Sequence, residues 1–288
     1  MGMHGYARSF ASLVIPLALV ACGNGGSGGP DAGPPSDGPT QAPDFSVADS
    51  RITVTVHVGF DYANLAGVFA DGPPLTHHVP AETEGSCRVI RYTPASCDPA
   101  CTGDESCVAG ACTAPPSRRD RGTLAWTWPD GARSVEADGV LAYYAEGGAT
   151  QHGTTSITVD GLELALPTAT QPIHDGDWAQ DIEGRGPGAD VALRWTNPVE
   201  GARVRLHMTD CTGSHGGLAE AELECEGPDT GELVIPGAFL DVMTNADWTR
   251  GECGSHTFQR YHRAVAPAES TRFETIGDGG FFWRPDFS

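Results

Sequence analysis

The sequence predicts an all-β protein built of two β-sandwich modules, and three observations carry that reading. The 288 residues include 38 Gly and 22 Pro, together about a fifth of the chain, against a usual share of about 12%; long helices are excluded and many turns expected. Apolar residues alternate with polar ones at a period of two in segment after segment, as half-buried strands require. Turn signals at short, regular spacing separate these segments.

Each element follows from its own pattern. Ile52, Val54, Val56, Val58 and Phe60 alternate with Thr53, Thr55, His57 and Gly59, which makes a strand with one buried face. Further strands are expected over 87–92, 123–128, 140–144, 154–159, 163–166, 191–196, 203–208, 219–225, 232–235, 258–264 and 272–276. Pro129-Asp130-Gly131, Asp138-Gly139, Asp160-Gly161 and Pro228-Asp229-Thr230-Gly231 supply the turns between them. Helix is confined to a turn or two over 236–243, where Pro236 suits a first helical position. The Gly-, Asp- and Pro-rich stretch 168–188 marks a soft boundary near 170. The first module is therefore placed at 44–170, with a Cys-rich insertion at 94–116, and the second at 171–288.

The N-terminus carries an address. Arg8 provides a weakly positive start, and 10–20 is an apolar run broken only by Ser12 and Pro16. Eleven residues are too few to span a bilayer, which takes about twenty, and the three-part layout is that of an export signal. It ends Leu19-Val20-Ala21-Cys22, which resembles the lipobox of bacterial lipoproteins. The resemblance implies cleavage before Cys22, acylation of that residue (palmitate among the acyl groups), and, with Gly23 rather than Asp next, passage to the outer membrane or cell surface. Residues 1–21 thus read as signal peptide. The lipidated Cys22 and the linker to Pro43 follow, with seven Gly and five Pro in the 21 residues from Gly23. That linker has too few apolar side chains to offset the entropy of ordering, and as a coil it reaches about 25 Å.

Charge narrows the partners. Seventeen basic residues, all of them Arg, face 38 acidic ones, for a net −21; cleavage removes Arg8 and no acid, leaving −22. The absence of Lys excludes Schiff-base chemistry, a phosphate-loop Lys and a Ser–Lys dyad. A nucleic-acid partner needs a basic stripe and is not expected. The expected partners are a membrane, reached through the lipid anchor, and an envelope protein or a glycan.

Eight cysteines remain once Cys22 is set aside, an even number that in an exported chain points to disulfides. Cys97, Cys101, Cys107 and Cys112 lie in a stretch almost without apolar residues, which needs a covalent or metal staple. Four Cys can hold zinc, but an oxidising compartment and the lack of a Cys-x2-Cys pair favour disulfides. The segment 97–112 resembles the small Cys-rich inserts of myxobacterial-type surface lipoproteins, and the resemblance implies Cys97–Cys107 and Cys101–Cys112. Cys87 then pairs with one of Cys211, Cys225 and Cys253. A Cys211–Cys225 hairpin link with Cys87–Cys253 between modules is the preferred arrangement. The run 191–208 with the strand at Cys225 resembles an immunoglobulin-like β module, and 224–236 strengthens the likeness to the same lipoproteins. Those relatives are themselves uncharacterised, so the resemblance implies architecture and location and no activity.

No His-Glu-x-x-His, Gly-x-Ser-x-Gly, phosphate loop, dinucleotide fingerprint or intact EF-hand loop is present. The expectation is a non-enzymatic surface lipoprotein with no cofactor. Asp175, Asp177 and Asp181 carry oxygen ligands that could hold a structural calcium ion, although a solvated acidic loop is favoured. Trp126 and Trp128 lie on one face of a strand. Exposed, they would form a platform for sugar rings and make the protein a carbohydrate-binding module; buried, they are core, which aromatic residues in strands usually are. A secreted hydrolase with an unrecognised carboxylate pair is the remaining alternative.

Overall fold

A computed structural model describes residues 43–57, 62–76, 78–92, 96–148, 153–168, 173, 178–209, 221–245, 256–277 and 281–283. Cys22 and the segments expected to form the signal peptide and nearly all of the linker lie outside them, as do Asp175, Asp177, Cys211 and Cys253.

The chain is all-β. The strands before residue 170 are β1 (Ser50–Val56), β2 (Tyr62–Ala70), β3 (His78–Glu84), β4 (Cys87–Tyr92), the short β5 (Ser106–Val108), β6 (Ala111–Thr113) and β7 (Arg118–Arg119), then β8 (Leu124–Trp128), β9 (Gly131–Val135), β10 (Ala142–Gly148), β11 (Thr154–Val159) and β12 (Leu162–Pro167). After helix α1 (Trp178–Glu183) come β13 (Val191–Arg194), β14 (Arg203–Thr209), β15 (Ala221–Pro228) and β16 (Glu232–Ile235). Helix α2 (Gly237–Asn245) precedes β17 (His256–Ala266), β18 (Thr271–Gly277) and β19 (Phe281–Trp283). The turn chemistry acts as expected: Asp160 and Gly161 both take positive φ, at 44° and 79°, the geometry that a two-residue hairpin between β11 and β12 needs.

One long sheet organises the molecule, in the order β10-β2-β1-β18-β17-β14-β15-β4-β3. It corrects the expected division at 170. Strand β1 pairs in parallel with β18, Ile52 opposite Phe273, and β4 pairs antiparallel with β15, so strands from both halves of the sequence interleave. All described residues fall in one compact unit.

Two hydrophobic cores nevertheless exist, both on the same face of this sheet. Ile52, Val54, Leu65, Phe69 and Phe273 pack against Trp126, Ile157 and Leu164 of a second sheet, ordered β12-β11-β8-β9. Val204, Leu206, Leu223 and Phe258 pack against the two-stranded β13–β16 sheet and against Phe239, Leu240 and Met243 of α2. The spacing of those three on α2 gives a helix with a single apolar stripe, and Asp190 Oδ1 accepts from the Gly237 backbone N–H at its start (2.8 Å). Helix α1 lies where only a loop was expected. Trp178 and Ile182, four residues apart, are both buried, and the Trp178 indole donates to the Arg194 carbonyl. The local sequence there is acidic and Gly-flanked, and burial of two side chains outweighs that composition.

The disulfides are Cys97–Cys107, Cys101–Cys112 and Cys87–Cys225. The third corrects the Cys87–Cys253 and Cys211–Cys225 arrangement. Cys87 and Cys225 stand directly opposite each other on β4 and β15, with Cα atoms 4.0 Å apart. Sheet register therefore decides the pairing, and it joins positions 138 residues apart.

Candidate functional site

The face of the long sheet opposite the two cores is charged. Period two places Arg203, Arg205 and His207 of β14 on this face, and Glu222, Glu224 and Glu226 of the adjacent β15 beside them. Register then sets Arg205 opposite Glu226, Arg88 opposite Glu224, and Arg263 opposite Glu274. Opposite charges directly across a ladder attract. Arg51 and Arg272 complete the set from β1 and β18.

Two carboxylates form its centre. Glu274 accepts from Arg263 Nε at 2.9 Å, Arg205 Nη2 at 3.0 Å and Arg51 Nη2 at 2.7 Å. Glu226 accepts from both terminal nitrogens of Arg263 at 3.0 Å and from Arg203 Nη2 at 3.0 Å. The Tyr261 hydroxyl accepts from Arg203 Nε, and its ring lies beneath the Arg205 guanidinium at 4.5 Å. Glu274 and Arg263 side chains have no solvent exposure. Burial disfavours the Glu274 carboxylate, yet Arg205, Arg51 and Arg263 hold its pKa well below the ordinary range. Glu226 is likewise depressed, burial being outweighed chiefly by Arg263. Both therefore stay ionised.

A strap formed by residues 43–49 crosses this face. Asp44 Oδ2 meets Arg263 Nη1 and Arg272 Nη2 at 3.4 and 3.3 Å. Arg272 Nη2 also donates to the carbonyl and hydroxyl oxygens of Ser46 at 2.8 and 3.0 Å. Arg88, held on Glu224 by two bonds, stacks on Phe45 at 4.4 Å and donates to its carbonyl. Between strap, sheet and the flank of the Cys-rich insertion lies a cavity of about 470 Å³. The Nε atoms of Arg205 and Arg272, two of the side chains lining it, are buried with no hydrogen-bond acceptor.

The described residues singled out from sequence as possible ligand sites lie elsewhere. Trp126 is 1% exposed, its indole donating to Thr155 Oγ1 at 2.9 Å. Trp128 is half-buried with its ring 4.6 Å from that of Trp126. The sugar-platform reading of this pair is thereby corrected: Trp126 has no open face, because the Leu124/Trp126 side of β8 is the side that covers the core. Asp181 is exposed on α1. The sulfurs of Cys97, Cys101 and Cys112 lie within 4.8 Å of one another, but as disulfides they offer no thiolate to a metal.

The charged face was missed by the sequence reading, although its signal was present. Arg203-Val-Arg205-Leu-His207 and Glu222-Leu-Glu224-Cys-Glu226 alternate charge with apolar residues, one strand cationic and the other acidic. That pairing becomes visible only when β14 and β15 are read together. No family model matches the chain, and neither a curated protein nor a solved structure matches it at a significant level.

Proposed function

We propose that the chain is a membrane-anchored surface lipoprotein of the cell envelope, with a non-enzymatic binding or structural role. The observation that carries this reading is the lipobox ending at Cys22, followed by a Gly/Pro spacer that runs into the strap. Asp44, Phe45 and Ser46 are gripped by Arg88, Arg263 and Arg272, so a pull on the tether is taken up by the buried ion pairs of the main sheet. Three disulfides suit an exported protein, and in this reading the β-sandwich layers are immunoglobulin-like modules sharing one sheet. The hydrolase alternative draws no support from this face. A carboxylate pair needs one member kept protonated as the acid, whereas Glu226 and Glu274 are both held ionised. Expression of Cys22→Ser tests the reading: the variant is expected in the soluble fraction with its fold intact. Retention of the folded variant wholly in washed membranes would overturn the anchor.

A further inference from the structure

We propose that the cavity beneath the strap is a binding site for an organic monocarboxylate, its charged end held by Arg205 and Arg272 and its apolar body by Phe45, Val68 and Leu75. The inference rests on the binding half of the reading above and is independent of the lipid anchor.

Four observations converge. A volume of about 470 Å³ lies in the range of small-molecule sites. The lining is mixed as such sites are, Phe45, Val47, Val68, Ala70 and Leu75 standing beside the guanidinium groups. On two of the lining side chains, the Nε atoms of Arg205 and Arg272 are buried without a hydrogen-bond acceptor, Glu224 Oε1 standing 3.9 Å from the first, and a buried donor left unsatisfied is costly. Lastly, the lining holds Arg51, Arg88, Arg118, Arg205 and Arg272 against Asp44, Asp49, Glu224 and Glu226. Five guanidinium groups are thus gathered in one lining, in a chain whose net charge is −21, and two of them, Arg51 and Arg205, also bond Glu274 behind it.

The guanidinium-rich lining selects the ligand class, since guanidinium–carboxylate pairing is already the chemistry of the whole face. A phosphate dianion would bring a second negative charge beside Glu224, Glu226 and Asp44, which share the lining. Arg51, with its side chain half-exposed, stands at the rim where a carboxylate would enter.

The test uses the full-length protein in non-ionic detergent, titrated at neutral pH with hexanoate, with hexanol as the uncharged match and inorganic phosphate as the competing anion. Hexanoate is expected to raise the melting midpoint and to give a saturable heat, and the other two are not. Arg272→Gln is expected to weaken binding at least about tenfold, the loss of one charge-assisted hydrogen bond. Because Arg272 also holds the strap, Val68→Phe serves as the second variant; it fills the cavity from β2, opposite Arg51, removes no charged group and is expected to abolish binding in a folded protein. Hexanoate binding no better than hexanol, phosphate binding as tightly, or unchanged affinity in Val68→Phe would each overturn the proposal. None of these outcomes bears on whether Cys22 is acylated.

Discussion

At the scale of single residues, Glu274 is the side chain on which most charge depends. It pairs with Arg51, Arg205 and Arg263 at once, and its own side chain has no solvent exposure. Removing one partner of a buried ion pair leaves uncompensated charge and costs about 3–5 kcal/mol. Glu274→Gln is therefore expected to lower the unfolding free energy by that amount in a urea titration. Asp160→Asn, at the solvent-exposed end of the Arg121 pair, is expected to change it by less than about 1 kcal/mol. His256 makes a separate prediction about pH. Burial, with the neighbouring His207, pushes its pKa down to about 4 from 6.5, so the unfolded chain binds the proton more tightly than the native one. Stability from this group is fully present above pH 6.5 and is lost as pH falls towards about 4, by roughly 3 kcal/mol. The depressed carboxylates Glu226 and Glu274 act in the same direction but only below the ordinary carboxylate range, so the two contributions separate along the pH axis. Urea midpoints measured from pH 7 to 4 are expected to slope for the native sequence and to slope less in His256→Gln, the remainder coming from His262, whose pKa burial also lowers.

Among the elements, the β1–β2 pair has the least room. Gly67 faces Ile52 across the ladder, and a Cβ there would lie 2.6 Å from the Arg51 carbonyl oxygen and 2.9 Å from Ile52 Cα. Backbone atoms cannot yield as a flexible side chain can, so Gly67→Ala is expected to destabilise by about 1–3 kcal/mol, readable as a lowered thermal midpoint. The disulfides differ by the loops they close. Losing Cys87–Cys225, 138 residues apart, costs about 5 kcal/mol in the chain-entropy model, against about 3 for Cys97–Cys107. Paired Cys→Ser variants compared in denaturant are expected to keep that order. The strands at 154–159, 163–166 and 232–235 were legible from alternation alone, because each has one wet and one dry face. Strand β2 was not. Gly, Ala and Asn interrupt its apolar series, and its place is fixed by pairing with β1 and β10. The Cys87–Cys225 link was equally illegible, since its partners meet through the order of strands in a sheet and no local spacing encodes that order.

For the molecule as a whole, the expectation of two modules held half of the truth. Two cores are present, but one sheet carries both, and its charged reverse face binds the strap. Composition revealed the Arg-for-Lys usage without its purpose. A planar guanidinium can pair bidentately and stack on an aromatic ring at once, as Arg263 and Arg205 do on Glu226 and Tyr261. Of the ligand-binding residues proposed from sequence, Trp126 and Trp128 were aromatic positions whose burial is decided by what packs over them. The functional account rests finally on the N-terminus. Mass spectrometry of the N-terminal peptide, from protein purified out of membranes, is the most direct measurement. The account predicts a chain that begins at Cys22 and carries acyl groups on its sulfur and amino nitrogen. A peptide spanning Ala21-Cys22 uncleaved, or a mature Cys22 free of lipid, would contradict it.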